Sequence, residues 1–376
     1  MRRTPASFVA LGATLALGLA ACGSGGGSNP GVDGSSAPVG SSAVCALADP
    51  PVSGVAAPAR VDGGLAHGTV GVVIDESTAV VDSPQIVAAA LAGALTHAGM
   101  TPDVQVTTAD PGALLAGARE VIGAGARFLI LDTLDARAGA RVERVADRAG
   151  VTVIDYDHLV LGGTARYLVA FDEEGAGRLQ AQSLIDCLTA QGVTRPRIIM
   201  LDGGLGIDDN AVLLAKGAHE VLDPRVGAGT ASVEEAAVSG WTLADAAPAF
   251  QQALTASGGE VDGVVAANDD LADAVIGVLK SRGLDGRVLI VGRGSGTRGK
   301  QNVLAGRQSL TVFEDGALEA DAAARLVAAL IHDQDPSTAG VTLRAFTDPA
   351  SAGHRLQALW LPAQVTTQAD VSGGAD

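Results

Sequence analysis

The chain has 376 residues, with 42 acidic against 25 basic side chains and a formal charge of −17 at neutral pH. That length is enough for two lobes of ordinary domain size, and the charge repels a phosphate backbone, which argues against nucleic-acid binding. Hydrophobic residues make up 47% but aromatics only 3%, so the expected core is one of Ala, Val, Leu and Ile, as in closely packed α/β layers.

The amino end reads as an export signal. Arg2 and Arg3 supply a positive start, Phe8 to Leu19 form an apolar run too short to span a bilayer, and small residues follow. The residues flanking the arginine pair match a twin-arginine signal poorly. Leu19-Ala-Ala-Cys22 resembles a bacterial lipobox, which predicts cleavage of residues 1–21 and acylation of Cys22. The acyl chains would hold the protein at the outer face of the bacterial cytoplasmic membrane. Residues 22–67 are rich in Gly, Ser, Pro and Ala without sustained periodicity and are expected to be a flexible tether. Cys45 and Cys187 remain, either bridged or free, in a compartment that permits disulfides. No later segment is long and apolar enough to be a transmembrane helix.

From residue 68 onward, short β-branched runs alternate with helical stretches. Val70–Ile74 is a predicted strand, and Ser83–Gly99 a helix opened by Ser83-Pro84. Strand Val104–Thr107, helix Pro111–Gly123, strand Phe128–Leu131, helix Ala136–Ala149 and strand Val151–Ile154 follow, and Tyr167–Phe171 closes the first half. The rhythm restarts with helix Gly175–Gln191, strand Arg197–Leu201, and helices Ala211–Leu222 and Leu243–Ser257. Strand Val261–Ala266, helix Leu271–Arg282 and strands Val288–Val291 and Ser309–Phe313 come next, then a long helix, Ala317–His332, and a late strand, Leu356–Leu361.

The apolar runs are continuous and not alternating, as strands covered on both faces require. Regular strand–helix alternation implies right-handed crossovers and open parallel sheets. The expected fold class is α/β, with two doubly wound parallel-sheet lobes and a ligand cleft between them. In open parallel sheets ligands sit at the carboxyl ends of the strands, and two facing lobes bring those ends to one cleft. The polar residues just after strands are therefore the candidates: Asp75 and Glu76, Asp132, then Asp155, Asp157 and His158, and Asp172 and Glu173. The second half adds Asp202, Asn268 and Asp269, Arg293, and Glu314 and Asp315. For each one alone, the alternative is a loop residue or helix cap.

Several segments together resemble the xylose-binding branch of the type I periplasmic sugar-binding proteins. They are Val153-Ile-Asp-Tyr-Asp157, Val169-Ala-Phe-Asp-Glu173 with Gly177-Arg-Leu-Gln-Ala181, and Asp209-Asn-Ala211 with Gly217-Ala-His219. Val264-Val-Ala-Ala-Asn-Asp269 and Gly306-Arg-Gln-Ser-Leu-Thr-Val-Phe313 complete the set. The resemblance spans roughly residues 69 to 370 and implies three crossings between lobes, near 171–175, 313–316 and 361–365, so that residues 68–172 with 315–360 would form the amino-terminal lobe and 173–314 with 361–371 the carboxy-terminal lobe. It also implies closure around one monosaccharide by a monomer, and delivery to an ABC permease and its ATPase. Carried over by position, Asp157 is an acidic ligand residue, and Asn210 and Asn268 are amide ligands. The family's basic residue after Asp157 is replaced by His158, its acid after Val291 by Gly294, and its basic residue after Phe313 by Glu314. Its stacking aromatic falls near Ala237, with Trp241 a nearby substitute. A surplus of carboxylates leaves an amino sugar, another cationic ligand, a metal-bridged ligand, or a degenerate pocket open beside a neutral sugar. A module reporting ligand to a membrane signalling protein stays open beside the importer reading. No helix-turn-helix precedes the body, unlike the related lac-repressor-type regulators.

Gly294-Ser-Gly296-Thr-Arg-Gly299 matches the dinucleotide fingerprint. It lies deep in the second lobe before a short helix, and an exported protein meets little NAD, so the expectation is a cleft loop and no cofactor. The histidines at 67, 97, 158, 219, 332 and 354 lack metal-ligand spacing, and no nucleophile elbow is present. A binding protein is expected, with neither enzymatic activity nor a metal.

Overall fold

The computed structural model describes Cys45 and residues 70–78, 83–351 and 353–373. The signal segment, Cys22 and the tether other than Cys45 lie outside the described residues.

In the first lobe, β1 (Val70–Asp75), β3 (Phe128–Asp132), β4 (Thr152–Tyr156) and β5 (Tyr167–Phe171) are almost wholly buried, as continuous apolar runs require. With β2 (Asp103–Thr107), β11 (Arg344–Thr347) and β12 (Arg355–Leu361) they form a seven-stranded sheet of order β11-β12-β5-β4-β3-β1-β2. Its pairings are parallel except β11 on β12. Helices α1 (Pro84–His97) and α9 (Gly316–Ile331) pack in one apolar layer with Val72, Ile74, Ile130 and Ile154. Helices α2 (Pro111–Gly123) and α3 (Ala136–Arg148) pack in another with Val73, Leu129 and Leu131. Alternate side chains of one strand thus feed two layers.

The second lobe has a six-stranded sheet, β13-β10-β9-β8-β6-β7. Its strands are β6 (Arg197–Gly203), β7 (Ser232–Val238), β8 (Gly263–Ala266), β9 (Leu289–Gly294), β10 (Leu310–Phe313) and β13 (Gln364–Thr366). Only β13 runs antiparallel to its neighbour. The accompanying helices are α4 (Glu173–Ala190), α5 (Asp209–Gly227), α6 (Leu243–Ala256), α7 (Asp269–Ser281), α8 (Thr297–Leu304) and α10 (Gln368–Gly373). The chain passes between the sheets after β5, after β10 and between β12 and β13.

Edge strands β7, β11 and β13 escape the sequence reading. β7 reads Ser-Val-Glu-Glu-Ala-Ala-Val and exposes Glu234 and Glu235. Charge blunts a sheet edge, and these residues carry little strand propensity; pairing with β6 along seven positions makes the strand. Cys45 and Cys187 are joined by a disulfide with Cα atoms 5.4 Å apart, and both lie in the apolar core of the second lobe. No helix among the described residues is long and apolar enough to cross a membrane.

Candidate functional site

Side chains at strand ends are held in place by the helix starts that follow them. Ser83, Asp110, Asp135, Asp172, Asp208, Thr242, Asn268 and Asp315 each accept a backbone N–H in the first turn of their helix. Caps and strand ends together surround a cavity of ≈ 560 Å³, within the size range of small-molecule sites.

The first lobe lends Asp132 from β3, Tyr156 from β4, Asp157 and His158 beyond it, and an apolar strip of α1 (Ile86, Val87 and Ala90). The second lends Asp208, Asn210, Arg293 and the stretch Ser295 to Arg298. Phe171, Glu173, Glu314, Asp315 and Glu319, at or near crossings between the sheets, complete the wall. Asp157 has φ 59°, the left-handed region in which Asp is among the better-tolerated side chains. That turn aims its carbonyl oxygen at Asn210, whose Nδ2 donates to it at 3.1 Å.

Arg293 is 2% exposed. Its Nη1 donates to Glu173 Oε1 at 3.0 Å and Glu314 Oε2 at 2.6 Å, and its Nε to the Ala267 carbonyl at 3.3 Å. Burial opposes the guanidinium charge, but Glu173 and Glu314 outweigh it and raise the pKa above its usual value. Burial also pushes both carboxyls up, with Arg293 pulling against it. One guanidinium serves two acids, and Glu173 Oε2 and Glu314 Oε1 have no hydrogen-bond partner.

His158 Nδ1 lies 2.9 Å from Asp132 Oδ1 and 3.5 Å from Asp157 Oδ2, and its Nε2 lies 4.0 Å from Asp208 Oδ1. Burial works against the imidazolium, yet Asp157, Asp132 and Asp208 carry its pKa well above 6.5. The three carboxyls thus favour the protonated imidazole, at the position where a basic residue was expected after Asp157. Asp132, Asp157 and His158 have donor atoms within 4.8 Å of one another and are the described group able to hold a metal; here they satisfy one another as an ion pair.

Of the residues singled out in sequence, Asp132, Asp157, His158, Glu173, Asn210, Arg293, Glu314 and Asp315 meet at this cavity. Asp75 does not line it: its carboxyl accepts Ser77 N and Thr133 Oγ1. Asp172 caps α4 with a side chain about half exposed. Asn268 caps α7, and Asp269 lies behind the wall, accepting from Gln308 Nε2 and Thr311 Oγ1. Trp241 packs inside the second lobe over Gly203 and Gly204; the aromatic rings at the cavity are those of Tyr156 and Phe171. Asp155 leaves the cavity and meets the Glu143 carboxyl below it. Glu319 and Asp208 escape the sequence reading, although Asp208, directly before Asp209-Asn210, carries a cap signal. In the glycine-rich segment, a Cβ at Gly299 would overlap the Asp269 carboxyl, so that glycine makes room for a buried acid and needs no phosphate to explain it.

Comparison with known proteins places the architecture. The chain is similar to a carbohydrate-transporter solute-binding protein of Chloroflexus aurantiacus, solved in complex with D-glucose: TM-score 0.69, 24% identity, covering 81% of this chain and 94% of that one. A Caulobacter myo-inositol-binding protein gives a TM-score of 0.63 at 19% identity, covering 83% and 98%. The fold is that of the type I periplasmic binding proteins. Residues 82–335 match the family model described as periplasmic binding protein domain, and the chain belongs to that family. It is 32% identical over 217 residues to the D-xylose-binding periplasmic protein of Escherichia coli strain K12, covering 57% of this chain and 64% of the relative. It is 28% identical over 256 residues to the multiple sugar-binding periplasmic receptor ChvE of Rhizobium radiobacter, covering 64% and 72%. The matched part thus spans a little under two thirds of the Escherichia coli relative's length. The family and the proteins the chain is similar to are binding proteins and not enzymes.

Proposed function

We propose that this protein is an extracytoplasmic solute-binding lipoprotein, anchored at Cys22 to the outer face of the cytoplasmic membrane, that captures a monosaccharide or derivative for an ABC importer. The observation that carries this reading is the cavity itself. Groups from both sheets meet at strand ends, and the wall combines paired polar atoms with apolar surface from α1, Phe171 and Tyr156. A sugar has both kinds of surface: hydroxyls that need donors and acceptors, and C–H faces that pack on rings. The sugar-binding relatives add support. Asp157, His158, Asn210, Arg293 and Glu314 are the proposed ligand-facing residues, and the sheet crossings after β5, after β10 and after β12 are the proposed hinge.

A second reading, a receptor that reports its ligand to a membrane signalling protein, draws on the receptor name carried by the Rhizobium radiobacter relative. Both readings require ligand capture. Thermal-shift measurement on the purified full-length protein against pentoses, hexoses, polyols, amino sugars and nucleotides tests it. A ligand at 100 times its dissociation constant should add about 2.7 kcal/mol of stability. A panel without any shift overturns sugar capture, and a shift by nucleotides alone reinstates the glycine-rich fingerprint.

A further inference from the structure

The cavity wall has eight carboxylates against two guanidiniums and one imidazole, and each of those cations is already engaged. Arg293 is divided between Glu173 and Glu314. Arg298 pairs with Asp270 and Asp273. His158 is held by Asp132 and Asp157. Three of the wall carboxyls also have unused capacity. Glu173, Glu314 and Glu319 are 3%, 5% and 4% exposed, and each keeps one oxygen without a hydrogen-bond partner. Burial pushes the pKa of both Glu314 and Glu319 upward; Asp157 adds to both shifts, and Glu314 adds to that of Glu319. All three groups line the same cavity. Asp157 itself is the reachable member, with about a third of its side chain exposed.

A neutral sugar would donate hydroxyl hydrogens to these oxygens but would leave the charge imbalance in place. A primary ammonium brings three N–H donors and a unit positive charge, and charge-assisted hydrogen bonds are about twice as strong as neutral ones. In a site partly shielded from water the attraction is far less screened than at a surface. Glu314 matters most here, because it places an acid where the sugar-binding resemblance implies a base.

We propose that the ligand is a cationic sugar, an amino sugar or amino-polyol with a free ammonium, seated between Asp157 and the Glu314–Glu319 pair with its apolar face against α1. This rests on the sugar-binding reading above and narrows it. Titration calorimetry on the full-length protein at neutral pH, using D-glucosamine, D-galactosamine and D-mannosamine, tests the proposal. The comparison set is their parent hexoses and N-acetyl derivatives. At least one amine should bind tenfold or more tightly than its neutral parent and its N-acetyl form. Glu319→Gln and Asp157→Asn should each cut that amine-to-parent affinity ratio tenfold or more. Tighter or equal binding of a parent hexose or an N-acetyl sugar overturns the inference and leaves sugar capture standing. So does a parent hexose that binds only with added Ca²⁺, which would assign Asp132, Asp157 and His158 to a metal. Binding of ethanolamine with no sugar bound, or no binding by any probe, overturns both.

Discussion

Arg293 is the single side chain on which the buried charge of the second lobe turns. It lies between Glu173 and Glu314, all three at most 5% exposed. Removing one partner of a buried ion pair leaves uncompensated charge and costs about 3–5 kcal/mol. Arg293→Met should approach that loss at pH 8, read from the shift in the urea midpoint. It should lose less at pH 5, because Glu173 and Glu314, already raised by burial, then take up protons. A loss that does not change with pH would show that the guanidinium acts through packing and not through charge. His158 behaves differently: burial works against its cationic form, but Asp157, Asp132 and Asp208 favour it and raise its pKa.

At the scale of elements, α4 and α5 cross so closely that neither tolerates a side chain at the contact. A Cβ at Gly177 would overlap the Leu214 carbonyl, and one at Gly217 the Glu174 carbonyl. These are backbone atoms, which cannot swing aside as a flexible side chain would. Gly177→Ala should therefore destabilise by about 1–3 kcal/mol despite the better helix propensity of Ala, checked by denaturant unfolding. A stabilised variant would mean that the helices separate freely. The crossing has a functional consequence, because α4 starts with Glu173 and α5 with the Asp208 cap and Asn210, all three at the cavity. Moving either helix moves cavity-lining groups of the second lobe. The Cys45–Cys187 disulfide fastens the far part of α4 in the same lobe.

The whole molecule carries its acidity inward as well as on its surface. Burial first of all pushes Asp132, Asp202 and Asp269 up to about 6, and it pushes Glu173 and Glu319 well above the ordinary carboxylate range. In the unfolded chain such groups release their protons near pH 4. Above that pH the folded state binds more protons than the unfolded state, so stability falls as pH rises through the raised values. The contribution of His158 is complete below 6.5 and fades as pH climbs through its raised pKa. Both effects have the same sign, whereas Glu174, Asp262 and Asp335, whose pKa values are lowered, act only at more acid pH. Melting should therefore occur at higher temperature at pH 5 than at pH 8 by scanning calorimetry. A higher melting temperature at pH 8 would mean that these acids are better solvated than the fold allows.

The sequence by itself determined the alternation of strand and helix, the two α/β halves and the strand ends as the place to look. Those properties depend on the period of apolar residues and on caps a few positions away, such as Ser83 before Pro84 or Asn268 before α7. The short edges β7, β11 and β13 were not legible, because their pairing comes from a neighbour distant in the chain. Tertiary structure alone decided which polar side chains reach the cavity. Asp172 and Asn268 look like Asp157 in sequence yet cap helices, while Trp241 fills its own lobe. Glu319 looks like an ordinary acid in a helix's first turn, and only the placement of α9 at a crossing sets it facing Asp157 and Tyr156. Whether a strand-end side chain reaches the cavity depends on partners supplied by other elements, as Thr133 does for Asp75 and His158 for Asp132, and no local pattern encodes that.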